Sequence, residues 1–84
     1  MAFMHYRYVV YPEGDIQEIP HRLRINEVVD LNGFPLNFPL QTSKIIAYRV
    51  YKISTEEGKG EEKIYHYLEL MRRDELEGFV QNIR

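Results

Sequence analysis

The strongest structural signal lies in residues 44–71, KIIAYRVYKI-STEEGKGEE-KIYHYLELM. Its first part, residues 44–53, and its last part, residues 63–71, alternate apolar and polar side chains, which is the period of a half-buried β-strand. A polar segment with two glycines separates the two parts. We therefore expect an antiparallel β-hairpin at the centre of the fold.

The polar segment between these two strands, residues 54–62, is expected to be an acidic hairpin loop. If the loop is centred on Gly58, Val50 lies opposite His66. One face of the hairpin is then apolar, and the other is amphipathic and aromatic. This is the pattern of an antiparallel sheet that packs one face on the core and leaves the other solvated.

Segments before the hairpin predict further strands. Residues 5–11 alternate in the same way and end at a Pro-Glu-Gly-Asp turn. Residues 16–19 form a short extended piece, and residues 22–31 have the pattern of a second main strand with an internal bulge. Asn32-Gly33 then predicts a hairpin turn, because a type I′ turn needs positive φ at both central residues.

The C-terminal residues change to a helical period. Leu76, Phe79, Val80 and Ile83 follow the i, i+3, i+4, i+7 spacing of an amphipathic helix. Residues 74–77 have the pattern of a capping box, which predicts where this helix begins. A helix of about ten residues is too short to be stable alone, so we expect its apolar stripe to dock on the sheet or on a partner.

These elements predict an α+β fold that is mostly β. We expect a bent antiparallel sheet, or a small open barrel, of about five strands with one short C-terminal helix. Residues 1–84 are expected to form a single domain, in which residues 1–3 are a disordered or added extension.

Length and composition exclude several classes of protein. A chain of 84 residues buries only a little over about 60% of its unfolded surface, which is enough for one core. It has no cysteine, so disulfide scaffolds and cysteine zinc sites are excluded. No segment resembles a signal peptide or a membrane helix, so we expect a cytoplasmic location and no membrane partner.

The net charge of −2 comes from one segment. Residues 56–62 hold four glutamates and one lysine, a net of −3. The remainder has ten basic and nine acidic residues, a net of +1. A nearly neutral body has no strong field to attract nucleic acid or membrane.

The sequence shows no catalytic signature. Neither serine lies in a Gly-x-Ser-x-Gly motif, and Gly58-Lys59-Gly60 is flanked by glutamates that would repel phosphate. We therefore predict a protein without catalytic residues, cofactor or metal.

The three histidines are not spaced as metal ligands. His66 falls on the apolar face of the hairpin, where we expect a hydrogen-bonded core histidine. The alternative is a small enzyme or metal binder that uses His66 with Glu69 and Tyr48.

Tyrosines and arginines of the first strand and the hairpin are the best candidates for a binding surface. Tyr and Arg are enriched at the hot spots of protein interfaces. Aromatic rings with nearby cations can also stack the bases of single-stranded nucleic acid. The structural alternative is that tyrosines are good strand residues whose rings cover cross-strand neighbours. The residues expected on this aromatic and basic face are Arg7, Tyr11, Arg49, Tyr51, Tyr65 and Tyr67.

An apolar segment in which Phe-Pro-Leu occurs twice, residues 34–40, is a second candidate. Its side chains either close the open end of a barrel or bind a partner. Two prolines stiffen the segment, which lowers the ordering cost of binding. The candidate binding residues are Phe34, Leu36 and Phe38.

The function predicted from these observations is a non-catalytic protein-interaction module of unknown specific role. Its partner is another protein or a second copy of the chain, because so small a sheet exposes strand edges that can pair. The alternative is a nucleic-acid-binding small β-barrel domain that uses the aromatic and arginine face.

Overall fold

A curved five-stranded sheet forms a half-barrel in the computed structural model, which describes residues 3–40, 42 and 44–80. The strands lie in the order β2-β1-β5-β4-β3. Their bounds, with the one helix, are β1 (Met4–Val10), β2 (Ile16–Glu18), β3 (Val28–Val29), β4 (Tyr48–Gly58), β5 (Glu61–Leu70) and α1 (Arg73–Glu77). The predicted fold class is confirmed: the protein is mostly β, with five strands and a short C-terminal helix.

One strand pairing differs from the antiparallel sheet that we expected. β1 runs parallel to β5, with Tyr8 beside Tyr65 and Val10 beside Tyr67. The Met4 N–H donates to the Gly60 carbonyl, 2.9 Å away, at the start of this pairing. A parallel pair needs a long crossover connection, which β2, β3 and β4 supply here. The sheet is therefore mixed.

The predicted acidic loop over residues 54–62 is wrong, because most of these residues belong to strands. β4 continues to Gly58 and β5 begins at Glu61, so Lys59 and Gly60 form the turn, where Gly60 has φ +74°. The glutamates are tolerated because this end of the hairpin is solvated and its carboxylates keep their water.

The register of the hairpin also differs from the expected one. Val50 lies opposite Leu68, and after a bulge between Val50 and Lys52 it is Ile53 that lies opposite His66. The bulge inserts one extra residue, Tyr51, into β4. The turn at Lys59 and Gly60 lies further along the chain than the assumed centre at Gly58, which moves the register, and the bulge then changes it by one residue.

The segment predicted as a second main strand is shorter than expected. Only Val28 and Val29 pair with β4, because Asn26 turns the chain with φ +71°. The predicted turn is present as a loop of three residues closed by the Asp30 N–H, which donates to the Phe34 carbonyl over 2.8 Å. Only Gly33 in this loop has positive φ.

Two clusters of buried residues lie on opposite faces of the sheet, since Val28 and Val29 are adjacent and successive strand residues point to opposite sides. The first cluster fills the inner face of the half-barrel: Val9, Tyr11, Ile19, Leu23, Val29, Tyr48, Val50 and Leu68. The second lies at one end of the outer face: Val28, Leu40, Ala47, Met71 and Leu76.

The helix is shorter than its apolar spacing predicts. It ends at Glu77, and Val80 forms a β-bridge with Leu40 instead of continuing the helix. The Arg72 N–H donates to Glu75 Oε1 over 3.0 Å, so a glutamate reaches back two residues earlier in the chain than expected. Gly78 disfavours continuation of the helix. Leu76 docks in the second cluster, as an amphipathic helix requires.

Some predictions lie outside the described residues. They include the last position of the apolar stripe, Ile83, and residues 1–2 of the expected extension. The single-domain organisation stays a prediction. In the described part of the chain no helix has the length and apolar character to cross a membrane.

Candidate interaction surface

The outer face of the sheet carries a group of adjoining tyrosines. Tyr6 and Tyr8 alternate with the buried Val9 and therefore point outward. The parallel register places Tyr8 beside Tyr65. The ring of Tyr51, at the bulge of β4, lies 6.5 Å from the ring of Tyr67. We name this surface the tyrosine face, and its members are Tyr6, Tyr8, Tyr51, Tyr65 and Tyr67.

The rings of the tyrosine face pack against one another. Tyr8 and Tyr65 stack with centroids 5.2 Å apart and planes 18° apart. Burial, with the nearby carboxylate of Glu18, raises the pKa of Tyr8, so its hydroxyl stays protonated and can donate or accept a hydrogen bond. Tyr51 is the most open member, with 52% of its surface exposed. The face thus offers fixed aromatic rings with polar tips.

Two lysines supply the positive charge next to these rings. Lys52 Nζ lies 5.3 Å from the centroid of the Tyr67 ring, within the range of a cation–π contact. Lys63 lies beside Tyr6 and opposite Glu56, so a carboxylate is close to it. The tyrosine face is consequently mixed in charge.

Arg49 was predicted for this face, but it has a structural role near α1. Its guanidinium forms an ion pair with Glu69 on the neighbouring strand and with Glu75 of α1, where Nη1 and Oε2 are 3.2 Å apart. The hydrogen bond to Glu69 raises the pKa of Arg49. The hydrogen bond from the Arg72 N–H, together with Arg49, lowers the pKa of the Glu75 carboxyl. The ion pairs of Arg49 therefore connect α1 to the sheet.

Arg7 and Tyr11 do not join the predicted face, because Arg7 shares the inner side of β1 with Val9 and Tyr11, directly after the strand, belongs to the inner cluster. The Tyr11 hydroxyl donates to the Leu31 carbonyl over 2.9 Å, and its ring packs edge-on against Tyr48. Burial raises the pKa of Tyr11. Sequence reasoning chose the wrong side because, over residues 5–11, each side of the segment carries a valine and at least one tyrosine. The residues of this part of the chain that do lie on the outer face are Tyr6 and Tyr8.

The Phe-Pro-Leu segment is divided between the core and the surface. Leu36 packs against the second cluster. Phe34 and Phe38 are each about half exposed and contact other rings, with Phe34 5.1 Å from His21 and Phe38 5.0 Å from Phe79. Leu40 is itself a member of that cluster, so both leucines help to close the core, while the two phenylalanines remain accessible.

His66 is buried and both of its ring nitrogens are engaged. The Leu23 N–H donates to Nε2 over 3.2 Å, so the proton resides on Nδ1, which donates to the Tyr8 carbonyl over 2.8 Å. Burial lowers the pKa of His66, which keeps the ring neutral. Glu69 points to the outer face, so the arrangement of His66, Glu69 and Tyr48 needed for acid–base or metal chemistry is not assembled.

Comparison with known proteins supplies a family and no activity. A family model described as an uncharacterised Treponema protein matches residues 3–79. No curated protein and no solved structure matches the chain.

Proposed function

Because the chain belongs to a family of uncharacterised Treponema proteins, whose description states no activity, we propose a function from its surface. We propose that the protein is a non-catalytic interaction module that binds a protein partner through the tyrosine face. The observation that carries the proposal is the stacked pair of Tyr8 and Tyr65, with Tyr51 and Tyr67 beside it, on the solvated part of the outer face.

The chemistry of the tyrosine face suits a protein partner. A tyrosine offers a large apolar ring and a hydroxyl, and it loses little conformational entropy on binding. Rings that already pack on each other lose still less, because their positions are set before the partner arrives. Apolar area continues from Tyr67 through Val10 to Ile16, whose side chain is exposed.

Charged residues surround the rings in the manner of an interface rim. Lys52 and Lys63 lie on the outer face with Glu18 and Glu56, and these side chains are solvated. Interfaces between proteins commonly have an apolar centre and a polar rim. The partner that fits is a protein surface with exposed apolar side chains and hydrogen-bonding groups.

A single-stranded nucleic acid is the second candidate for the same face. The contact between Lys52 and the Tyr67 ring favours it, since cations beside aromatic rings serve phosphates and bases together. Against it, the glutamates beside the lysines and the ion-paired state of Arg49 leave little charge to neutralise phosphates.

Capture experiments with two matched variants test the proposal. Tyr51→Ser removes an exposed ring of the tyrosine face, and Phe34→Ser removes a ring of similar exposure, 46% against 52%, elsewhere. We expect a protein captured from cells that make this protein to be lost with Tyr51→Ser and kept with Phe34→Ser. Loss with Phe34→Ser alone would assign binding to the Phe-Pro-Leu segment and contradict the proposal.

Oligonucleotide titration separates the two candidate partners. Labelled single strands are added to the wild-type protein at low and at high salt. We expect no binding at either salt concentration. Binding at low salt that Tyr51→Ser removes would favour nucleic acid, because phosphate contacts weaken as salt rises.

A further inference from the structure

One long edge of the sheet has no neighbouring strand in the part of the chain that the structure describes. β3 pairs with β4 at Tyr48 and Arg49, and the last contacts on that side join Asn26 and Glu27 to Val50. Among the described residues, no strand pairs with β4 on this side beyond Val50. The free edge covers residues 52–58. Such an edge is a template for another strand, and its sequence, KISTEEG, contains no proline to block pairing.

The backbone groups that point outward along this edge can be assigned from the register. Val50 directs its N–H and C=O away from β5, because Glu27 and Asn26 bind them. The backbone N–H and C=O of Leu68, opposite Val50, must then point toward β1, and those of Tyr67 must point toward β4. Lys52, opposite Tyr67, therefore points inward to β5. By alternation, the outward groups belong to Ile53, Thr55 and Glu57.

A groove with arginines adjoins the free edge on the inner face. It has a volume of about 630 Å³ and is lined by Arg22, Leu23, Arg24, Glu27 and Ile53. The carboxylate of Glu27 accepts a hydrogen bond from the backbone N–H of Arg24 over 2.8 Å. Within the described part of the chain, the guanidinium groups of Arg22 and Arg24 form no ion pair. The groove therefore suits an anionic side chain.

The hairpin itself carries a carboxylate in the position to fill such a groove. Glu57 lies opposite Glu62, on the same side of the sheet as His66 and hence on the inner face. It is exposed near the tip of the hairpin, and its backbone points outward. A second copy of the edge can thus bring backbone hydrogen bonds and a carboxylate together.

We propose that a second copy of this chain pairs its β4 with the free edge, antiparallel and related by a twofold axis at Thr55, so that Glu57 of each copy enters the arginine groove of the other. In this register Ile53 lies opposite the partner's Glu57, and Ser54 lies opposite the partner's Glu56. The pairing ends where the partner's Gly58 lies opposite Lys52, so the hydrogen bond between Asn26 and Val50 is kept.

The symmetry makes the contact closed and self-complementary. Each copy gives one Glu57 and one groove, so both grooves are filled and no further copy can add at this edge. Thr55 opposite the partner's Thr55 is a favourable cross-strand pair. The inference goes beyond the proposed function, because the pairing uses the β4 edge and the arginine groove and not the tyrosine face. The tyrosine faces of the two copies would continue across one sheet.

The molar mass of the full chain in solution tests this pairing. One chain has a mass of 10.1 kDa, and sedimentation equilibrium should give twice that mass, with dissociation favoured by salt. Glu57→Arg and Arg24→Glu should each weaken the dimer by about tenfold or more, because each places like charges in the groove. The double variant should restore dimerisation, since the charges are exchanged. Glu13→Arg makes the same change in net charge as Glu57→Arg, in a distant turn, and should have no effect.

A second variant tests the backbone contribution. Thr55→Pro removes an outward N–H without removing a hydrogen bond to β5, so it should abolish the dimer while circular dichroism shows an intact fold. A monomeric wild-type protein at every concentration overturns the inference. So does a dimer that survives either charge reversal, or a double variant that does not recover.

The proposed function has a separate outcome in the same series. Tyr51→Ser should dimerise as the wild type does, because its side chain lies outside the proposed contact. If the wild type is monomeric and still captures a protein that Tyr51→Ser loses, the edge pairing is wrong and the proposed function stands. If the wild type dimerises through Glu57 and Arg24 but captures nothing, the proposed function is wrong and the pairing stands.

Discussion

Tyr8 of β1 stacks on Tyr65 of β5 across a parallel strand pair, with ring centroids 5.2 Å apart. The pair joins the N-terminal strand to the central hairpin and forms the centre of the tyrosine face. Its rings therefore serve two purposes, since they stabilise the sheet and also supply binding surface. A variant of either ring must be judged on stability before it is used in a binding experiment.

The stacked pair should be measurable as a coupling free energy. We expect Tyr65→Ala to lower the free energy of unfolding by about 1–2 kcal/mol, and a cycle with Tyr8→Ala to give a coupling of about 0.5–1.5 kcal/mol. Urea denaturation provides both values. Tyr51→Ala should cost less, because Tyr51 is half exposed. Strictly additive effects of Tyr8→Ala and Tyr65→Ala would contradict the stacked geometry.

His66 should make the stability of the fold depend on pH. Burial lowers its folded-state pKa below the 6.5 of an unperturbed histidine, so the unfolded chain takes up a proton that the folded chain does not. Stability is therefore full above pH 6.5 and is lost as the pH falls toward the folded-state pKa, by up to about 1.4 kcal/mol per pH unit.

Urea denaturation between pH 7.5 and pH 5 checks this dependence, and His66→Gln should flatten this part of the profile. A wild-type profile as flat as that of the variant would show that the bond from the Leu23 N–H to Nε2 does not hold the ring neutral.

Substitution by alanine should lower the stability of the fold for two reasons at Gly33 and for one reason at Gly14. Both have positive φ, +85° and +100°, which costs an alanine about 1–2 kcal/mol. A Cβ at Gly33 would also lie 3.2 Å from Ile19 Cγ2 and 3.4 Å from Val9 Cγ2, whereas nothing lies within 4 Å at Gly14. Thermal unfolding should show Gly33→Ala as clearly the more destabilising of the two. Equal effects would mean that the loop before Phe34 does not pack on the core.

Leu76 should anchor α1 although the helix has only five residues. The side chain is 1% exposed, so Leu76→Ala should cost about 2–5 kcal/mol by leaving a cavity in the second cluster. Glu77→Ala, on the exposed side of the same helix, is the control and should change stability little. If Leu76→Ala proves neutral in urea denaturation, the helix does not dock as described.

The sequence predicted the strands of the central hairpin and the position of the helix because periodicity reports which side of an element is buried. It did not predict that β1 pairs with β5 in parallel, since alternation in residues 5–11 carries no information about the neighbouring strand. Tyr51 was expected on the outer face, but the bulge that inserts it was not. The glutamates near Gly58 suggested a loop, because charged residues indicate exposure to solvent. The end of a solvated β-hairpin is exposed to the same degree, so charge alone does not distinguish it from a loop.

The candidate site was predicted in part for the same reasons. Tyr65 and Tyr67 follow from the alternation of β5, which is unambiguous around the buried Leu68. Tyr6 and Tyr8 were missed in favour of Arg7 and Tyr11, because only the pairing with β5 decides which side of β1 faces the core. The arginine groove joins residues 22–27 to Ile53, a contact between distant parts of the chain that no local pattern reveals.

Site-specific photo-crosslinking at Tyr51 tests whether the tyrosine face binds a protein. A photoreactive phenylalanine analogue replaces Tyr51 in cells that make this protein, and the same analogue replaces Leu31, which is equally exposed away from the tyrosine face. We expect a discrete protein adduct at position 51 that is lost with Tyr67→Ser, and no such adduct at position 31. The same adducts at both positions, or no protein adduct at position 51, would contradict this expectation.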